Sequence, residues 1–108
     1  MRIRALSLSV SLVLAFASRL VCAAPDAFAF GDPQEGKKLY EEKCAACHAA
    51  QFGGDGSRIF TRSERRIHTA PALLAQVQFC NTRTRAGLSA EDEQSIAAWL
   101  NQKYYKFK

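Results

Sequence analysis

Apolar positions recur at helical spacing in three stretches of the chain, and no stretch alternates apolar and polar residues as a half-buried strand does. The pattern therefore predicts an all-α protein of three to four helices. The first helix is expected to begin at Pro33, with Asp32 as its N-cap, and to continue to about Cys47. Tyr40 lies one turn after Gly36 and shares its face.

The second helix is predicted to begin at Thr69 or Ala70, with Pro71 in its first turn. Before it, three glycines within residues 53–56 predict a loop, because glycine weakens a helix. The apolar face of this helix consists of Leu73, Leu74 and Val77.

Residues 81–88 are predicted to connect the second helix to the last one. Ser89 is then the N-cap of the last helix, and Asp92 stands at the capping-box position three residues later. The apolar face of the last helix includes Ile96, Trp99 and Leu100. Three aromatic residues mixed with lysines end the chain, and we expect them to dock on the helices: Tyr104, Tyr105 and Phe107.

The first residues have the pattern of a secretory signal peptide: a basic start, an apolar run over residues 6–17, and small residues at Ala23 and Ala24. The apolar run is too short for a comfortable membrane span. We predict a cleaved signal peptide over residues 1–23 and one domain over 24–108, exported to the periplasm. An uncleaved anchor is the alternative.

Removal of the signal peptide changes the charge balance. The whole chain has 15 Lys and Arg against 10 Asp and Glu, a net charge of +5. Without Arg2, Arg4 and Arg19, 12 basic residues face the same 10 acidic ones, which leaves +2. The composition therefore gives no argument for nucleic acid binding. Some arginines cluster, and we interpret them as a solvated surface or as partners for anionic groups: Arg58, Arg62, Arg65, Arg66, Arg83 and Arg85.

The segment Cys44-Ala45-Ala46-Cys47-His48 carries the chemistry of this chain, because Cys-x-x-Cys-His is the attachment sequence for c-type haem. Two thiols one helical turn apart can add to the two vinyl groups of one porphyrin. The histidine that follows supplies an axial ligand to the iron. We therefore predict one covalent haem c, with thioether bonds at Cys44 and Cys47 and with His48 as the proximal ligand. A haem also provides apolar surface for a domain too short to bury a large core alone.

Two other interpretations of the cysteine pair are open at this point. The pair could be half of a zinc site completed by His68 and Cys80, but the chain lacks a second close-spaced pair. It could also be a thioredoxin-like redox pair, but that motif belongs in a βαβ setting and these flanks are helical.

Two segments of the chain resemble class I cytochrome c: Gly36-x-x-Leu39-Tyr40-x-x-x-Cys44-x-x-Cys47-His48 and Leu88-Ser89-x-x-Asp92-x-x-x-Ile96-x-x-Trp99-Leu100. The resemblance spans essentially the whole mature chain and implies a small cytochrome c fold wrapped around one haem. In that family the first and last helices cross at a glycine and an aromatic residue, here Gly36 and Tyr40 against Ile96 and Trp99. The resemblance implies an electron carrier, not an enzyme, with redox protein partners in the periplasm or at the membrane surface.

The chain departs from that family at the sixth iron ligand, which is methionine in most members. Met1 is the only methionine and falls within the predicted signal peptide. His68 is the only other histidine and is a candidate distal ligand, with a solvent-exposed position before the second helix as the alternative. Asn81 is a further candidate, because it lies in the loop where the methionine usually sits. Cys80 is interpreted as a buried inert cysteine or, alternatively, as a thiolate ligand.

The run from Cys80 to Leu100 also resembles a subgroup of high-spin or ligand-switching cytochromes that includes the Sphaeroides haem protein and cytochrome c″. In that subgroup an iron ligand precedes the cysteine, and the cysteine forms a disulfide. Here Phe79 occupies the ligand position and Leu88 that of the partner cysteine. A five-coordinate haem that binds small gaseous ligands is therefore the second hypothesis. A small peroxidase or reductase is the third, but the sequence offers no convincing acid–base pair for it.

Overall fold

The computed structural model describes residues 26–108, which form five α-helices followed by a π-helical turn. In chain order these are α1 (Pro33–Lys43), α2 (Ala45–Phe52), α3 (Arg58–Thr61), α4 (Ala70–Thr84), α5 (Ala90–Leu100) and the turn Asn101–Tyr105. This part of the chain contains no strand, so the all-α prediction is confirmed. None of its helices is long and apolar enough to cross a membrane. The predicted signal peptide lies outside the described residues.

The start of α1 agrees with the sequence, but its end does not. The Asp32 side chain accepts a hydrogen bond from the Gln34 N–H at 2.9 Å, and Pro33 occupies the first helical position, which confirms the predicted cap. The predicted continuation to Cys47 is wrong, because the backbone leaves the helical range at Cys44 (φ −123°). The Cys44 N–H still donates to the Tyr40 carbonyl at 2.9 Å, so the break sacrifices no hydrogen bond there.

The closest approach in the fold is the crossing of α1 and α5. A Cβ at Gly36 would overlap the backbone carbonyl of Ser95, so only glycine fits there. One turn later Tyr40 packs against Trp99, with ring centroids 4.9 Å apart. Ile96 lies in the same interface and is 1 % exposed. The contact expected from the family resemblance is thus confirmed.

The fourth helix is longer than the sequence indicated. Thr69 caps its start, as predicted, but the helix continues to Thr84. The predicted connection over residues 81–88 is therefore wrong, and the connection comprises residues 85–89. The physical reason is that Arg85, with φ 54°, takes the left-handed conformation that ends the helix. Asn81, which the sequence placed in this loop, is helical and bonds to Leu88 of the connection with its side chain.

The last helix begins with the predicted capping box. The Ser89 hydroxyl accepts from the Asp92 N–H at 3.0 Å, and the Asp92 carboxylate accepts from the Ser89 N–H at 2.9 Å. The π-helical turn after Leu100 was not predicted. It carries Tyr105 into the core, where the Arg65 guanidinium lies 4.8 Å from the centre of the tyrosine ring. The expected docking of the aromatic C-terminus is confirmed for Tyr105.

Replacing Gly36 by alanine is expected to lower the free energy of unfolding by about 3 kcal/mol, near the upper end of the cost of overpacking. The new methyl group meets backbone, which cannot rotate away. Denaturant unfolding of the purified protein measures the loss. Gly87→Ala is the control: its φ of 74° strains alanine by about 1 kcal/mol, but no atom lies within 4 Å of the new carbon. A smaller loss for Gly36→Ala than for Gly87→Ala would contradict the tight crossing.

Candidate haem-binding site

A cavity of about 520 Å³ lies among the helices and is bordered by the three residues of the attachment motif, Cys44, Cys47 and His48. Its volume is in the range of cofactor and ligand sites. The aliphatic part of its lining comes from α3, α4, α5, the segment before α4 and the connection before α5: Ile59, Ile67, Leu73, Val77, Leu88, Ile96 and Leu100. The three motif residues thus face a single, largely apolar space.

The two motif cysteines enter this cavity from different local environments. Cys44, at the junction of α1 and α2, is half-buried against the core, whereas Cys47 is exposed on α2. Burial, together with the nearby thiols of Cys80 and Cys47, raises the pKa of the Cys44 thiol to about 11. Cys44 is therefore a neutral thiol near neutral pH. Cys44 is the N-cap of α2 and Cys47 lies three residues later in the same helix, the spacing that attachment to one porphyrin requires.

His48 is held by aromatic side chains from other elements. Its ring stacks on Phe60 at a centroid distance of 5.1 Å and meets the ring of Tyr40 edge-on at 5.7 Å. Burial lowers the pKa of His48, and the backbone of Gly56 partly opposes that shift. The imidazole is therefore neutral at physiological pH, which is the form that binds iron. Its Nδ1 atom is buried and makes no hydrogen bond of normal geometry.

Gly56 touches the backbone of the motif histidine. A Cβ at Gly56 would lie 2.6 Å from the Cβ of His48 and 2.6 Å from the amide nitrogen of Ala49, and its φ is 81°. Neither Gly53 nor Gly54 has any atom within 4 Å of such a Cβ. Sequence reasoning predicted only a loop here, since nothing in a run of glycines indicates which one contacts the histidine.

The candidate distal ligands occupy different places. His68 is exposed just before α4 and is not among the residues that line the cavity. The structure therefore does not bring it to His48, and ligation by His68 stays a prediction. Asn81 does line the cavity, but its side-chain amide is bonded to Leu88 and Glu93. Ligation by Asn81 would require those bonds to break.

Cys80 lies on the α4 wall of the same cavity, half-buried, and its Sγ atom accepts a hydrogen bond from the Gln76 side chain at 3.3 Å. Phe79, one residue earlier, is 55 % exposed at the cavity border. Across residues 26–108, no group of three or more His, Cys, Asp or Glu side chains is arranged to hold a metal ion. The zinc alternative with His68 and Cys80 therefore finds no ligand set in this part of the chain.

The arginines that cluster in the sequence have separate roles in the structure. Arg62, Arg66 and Arg83 border the cavity, and the Nε atom of Arg62 is buried without a hydrogen-bond partner. Arg65 instead donates to the Phe60 carbonyl at 2.9 Å and packs on Tyr105. Only the first three are therefore placed to meet an anionic group in the cavity.

These features fit a haem. The donor set is two thiols and a neutral imidazole, the walls are apolar, and arginines at the border suit the two propionates of the cofactor. Three buried polar atoms of the described residues make no hydrogen bond of normal geometry: the Tyr40 hydroxyl, Nδ1 of His48 and Nε of Arg62.

The family model described as "Cytochrome C oxidase, cbb3-type, subunit III" matches residues 31–100, which include all five α-helices. The chain belongs to this family. It is a c-type cytochrome that functions in electron transfer, and the family implies covalently bound haem c and redox protein partners. No solved structure matches this cytochrome.

Gly56→Ala is expected to impair haem incorporation, because a methyl group there would displace His48, while Gly54→Ala is the matched control from the same loop. Both glycines have positive φ, 81° and 56°, so both variants carry backbone strain, but only Gly56 contacts His48. The ratio of haem absorbance to protein, with mass spectrometry of the attached haem, measures incorporation. Equal losses in the two variants would show that backbone strain, and not the contact with His48, is responsible.

Proposed function

We propose that this cytochrome is an exported electron carrier with a single haem, attached through Cys44 and Cys47 and bound axially by His48. In this proposal residues 1–23 are removed as a signal peptide and the mature domain works in the periplasm. The observation that carries the proposal is that all three motif side chains border one apolar cavity of about 520 Å³. A bound haem supplies an iron that gains or loses one electron between its ferric and ferrous states.

The chain's own residues set the conditions for that exchange. Phe60 and Tyr40 fix the orientation of the His48 ring, and its neutral form can donate an electron pair to iron. Aliphatic walls keep water away from the cofactor, so little solvent has to reorganise when the charge of the iron changes. Arg62 and Arg66 are assigned to the propionates, whose negative charge their guanidinium groups would offset.

Partner docking is assigned to the cavity border around Phe79. This ring is exposed, the Arg83 guanidinium lies 5.9 Å from its centre, and the exposed Lys43 borders the same cavity. An exposed aromatic ring among basic side chains suits small, transient contacts with an acidic redox protein.

Attachment is tested by expression with the haem-attachment machinery, followed by denaturation and mass spectrometry. The wild-type chain is expected to keep one haem after denaturation, and Cys44→Ser with Cys47→Ser to keep none. Cys80→Ser is the matched control, because Cys80 borders the same cavity but lies outside the motif. A wild-type chain without haem, or an equal loss in Cys80→Ser, would contradict the assignment.

A second candidate function is the binding of small gaseous ligands at an iron without a sixth protein ligand. Two observations favour it: His68 is exposed outside the cavity lining, and the amide of Asn81 is occupied by other bonds. The chain beyond Met1 contains no methionine that could take the sixth position.

Spectra of the ferric and ferrous wild type and of His68→Ala separate the two candidates. If His68 is the distal ligand, the wild type is low-spin and His68→Ala becomes high-spin. If the site is open, both proteins are high-spin when ferrous and bind carbon monoxide rapidly. A low-spin spectrum that persists in His68→Ala rejects both an open site and His68, and Cys80→Ser is then the next variant to record.

A further inference from the structure

Asn81 bonds the end of α4 to the connection before α5 through both its backbone and its side chain. Its backbone carbonyl accepts hydrogen bonds from the N–H groups of Arg85 and Ala86, the latter at 3.2 Å. Its side-chain Nδ2 donates to the Leu88 carbonyl at 3.0 Å, and its Oδ1 accepts from the Leu88 N–H at 3.1 Å. The side-chain amide of Asn81 therefore bonds to both backbone polar groups of Leu88, its N–H and its carbonyl.

Glu93 makes a further hydrogen bond to this amide. The Glu93 side chain is buried, and its Oε2 atom accepts a second hydrogen bond from Asn81 Nδ2 at 3.2 Å. The Leu88 carbonyl and this Oε2 atom both accept hydrogen bonds from the NH₂ group, and the oxygen of the amide is directed to the Leu88 N–H. Both amide protons of Asn81 are used in this arrangement.

The connection needs such support because it contains a strained residue, Arg85, whose φ of 54° is one that L side chains rarely adopt. Gly87 also has a positive φ, 74°, which glycine adopts without strain. Asn81 makes four hydrogen bonds to the connection: one with Arg85 itself, one with Ala86 and two with Leu88. Loss of the side-chain bonds would therefore free residues 85–89 to relax.

This connection is a wall of the haem cavity. Ala86, Leu88 and Asn81 itself border the cavity, and none of them belongs to α2, which carries His48. In the proposed haem site, with His48 on one face of the cofactor, this wall would cover the other face. The position of Leu88 then decides how much room a small ligand finds there.

We propose that Asn81 is not an iron ligand but the residue that controls access of small ligands to the haem, by holding Leu88 against the cavity. This inference rests on the proposed haem site. It predicts that breaking the side-chain bonds of Asn81 opens the cavity, whatever group occupies the sixth position of the iron in the wild type.

The test measures carbon monoxide binding to the ferrous holoprotein of the wild type, Asn81→Leu and Asn101→Leu. Asn101 is a close control, because its side chain pairs with the backbone of Phe107 in the same way, at 3.1 and 2.8 Å, and does not border the haem cavity. Asn81→Leu is expected to bind carbon monoxide several-fold faster than the wild type, and Asn101→Leu at the wild-type rate. Denaturant unfolding curves of both variants show whether a faster rate reflects easier entry of carbon monoxide or a general loss of stability.

Equal rates in Asn81→Leu and the wild type, or the same increase in Asn101→Leu, would overturn the inference. If the wild type binds no carbon monoxide, Asn81→Leu must gain binding and Asn101→Leu must not. If Asn81→Leu does not fold, Leu88→Ala serves instead: it keeps both backbone bonds but removes the side chain from the wall, and its rate must rise. A chain that attaches no haem contradicts the proposed function, an outcome distinct from unchanged rates.

Discussion

The close approach of α1 and α5 determines where the attachment motif can lie. Because Gly36 has no side chain, the backbone of α1 can meet the backbone of α5. Tyr40, one turn further, is thereby packed between Trp99 on one side and the ring of His48 on the other. Cys44 comes one turn after Tyr40, so the same crossing sets the point at which the first thiol reaches the cavity. A shift at the crossing would therefore move the cofactor site.

Two asparagines perform the same structural task at different ends of the fold. Asn81 pairs with the backbone of Leu88, and Asn101 pairs with that of Phe107. In both cases a residue in the left-handed conformation ends the helical segment: Arg85 after the helix of Asn81, and Lys106 after the turn of Asn101. The backbone groups beyond such a residue have no helical partners, and the asparagine side chain bonds to them. In a small domain, a short amide side chain can hold a tight connection in place of a longer loop. Of the two pairings, only that of Asn81 with Leu88 borders the haem cavity. This is why we assign control of ligand access to Asn81 and not to Asn101.

The parts of this protein that depend on a few neighbouring residues could be predicted from the sequence. Helix starts at Asp32, Thr69 and Ser89 follow from side chains that accept hydrogen bonds from the first turn, and all three caps are present. The Cys-x-x-Cys-His motif indicated its chemistry for the same reason, since its five residues contain the donor set for the cofactor. The all-α fold follows from helical spacing of apolar residues, which is also a local property.

The remaining features depend on contacts between distant residues, and only the tertiary structure decided them. The helix break at Cys44 has no glycine or proline to mark it, and the extension of α4 to Thr84 is coupled to bonds that Asn81 makes seven residues further along the chain. The contact of Gly56 with His48 arises because a loop folds back on α2. The packing of the helices likewise decides that His48 borders the cavity and that His68 does not. The sequence therefore determined which residues can bind a haem, and the packing of the helices decided which side chains surround it.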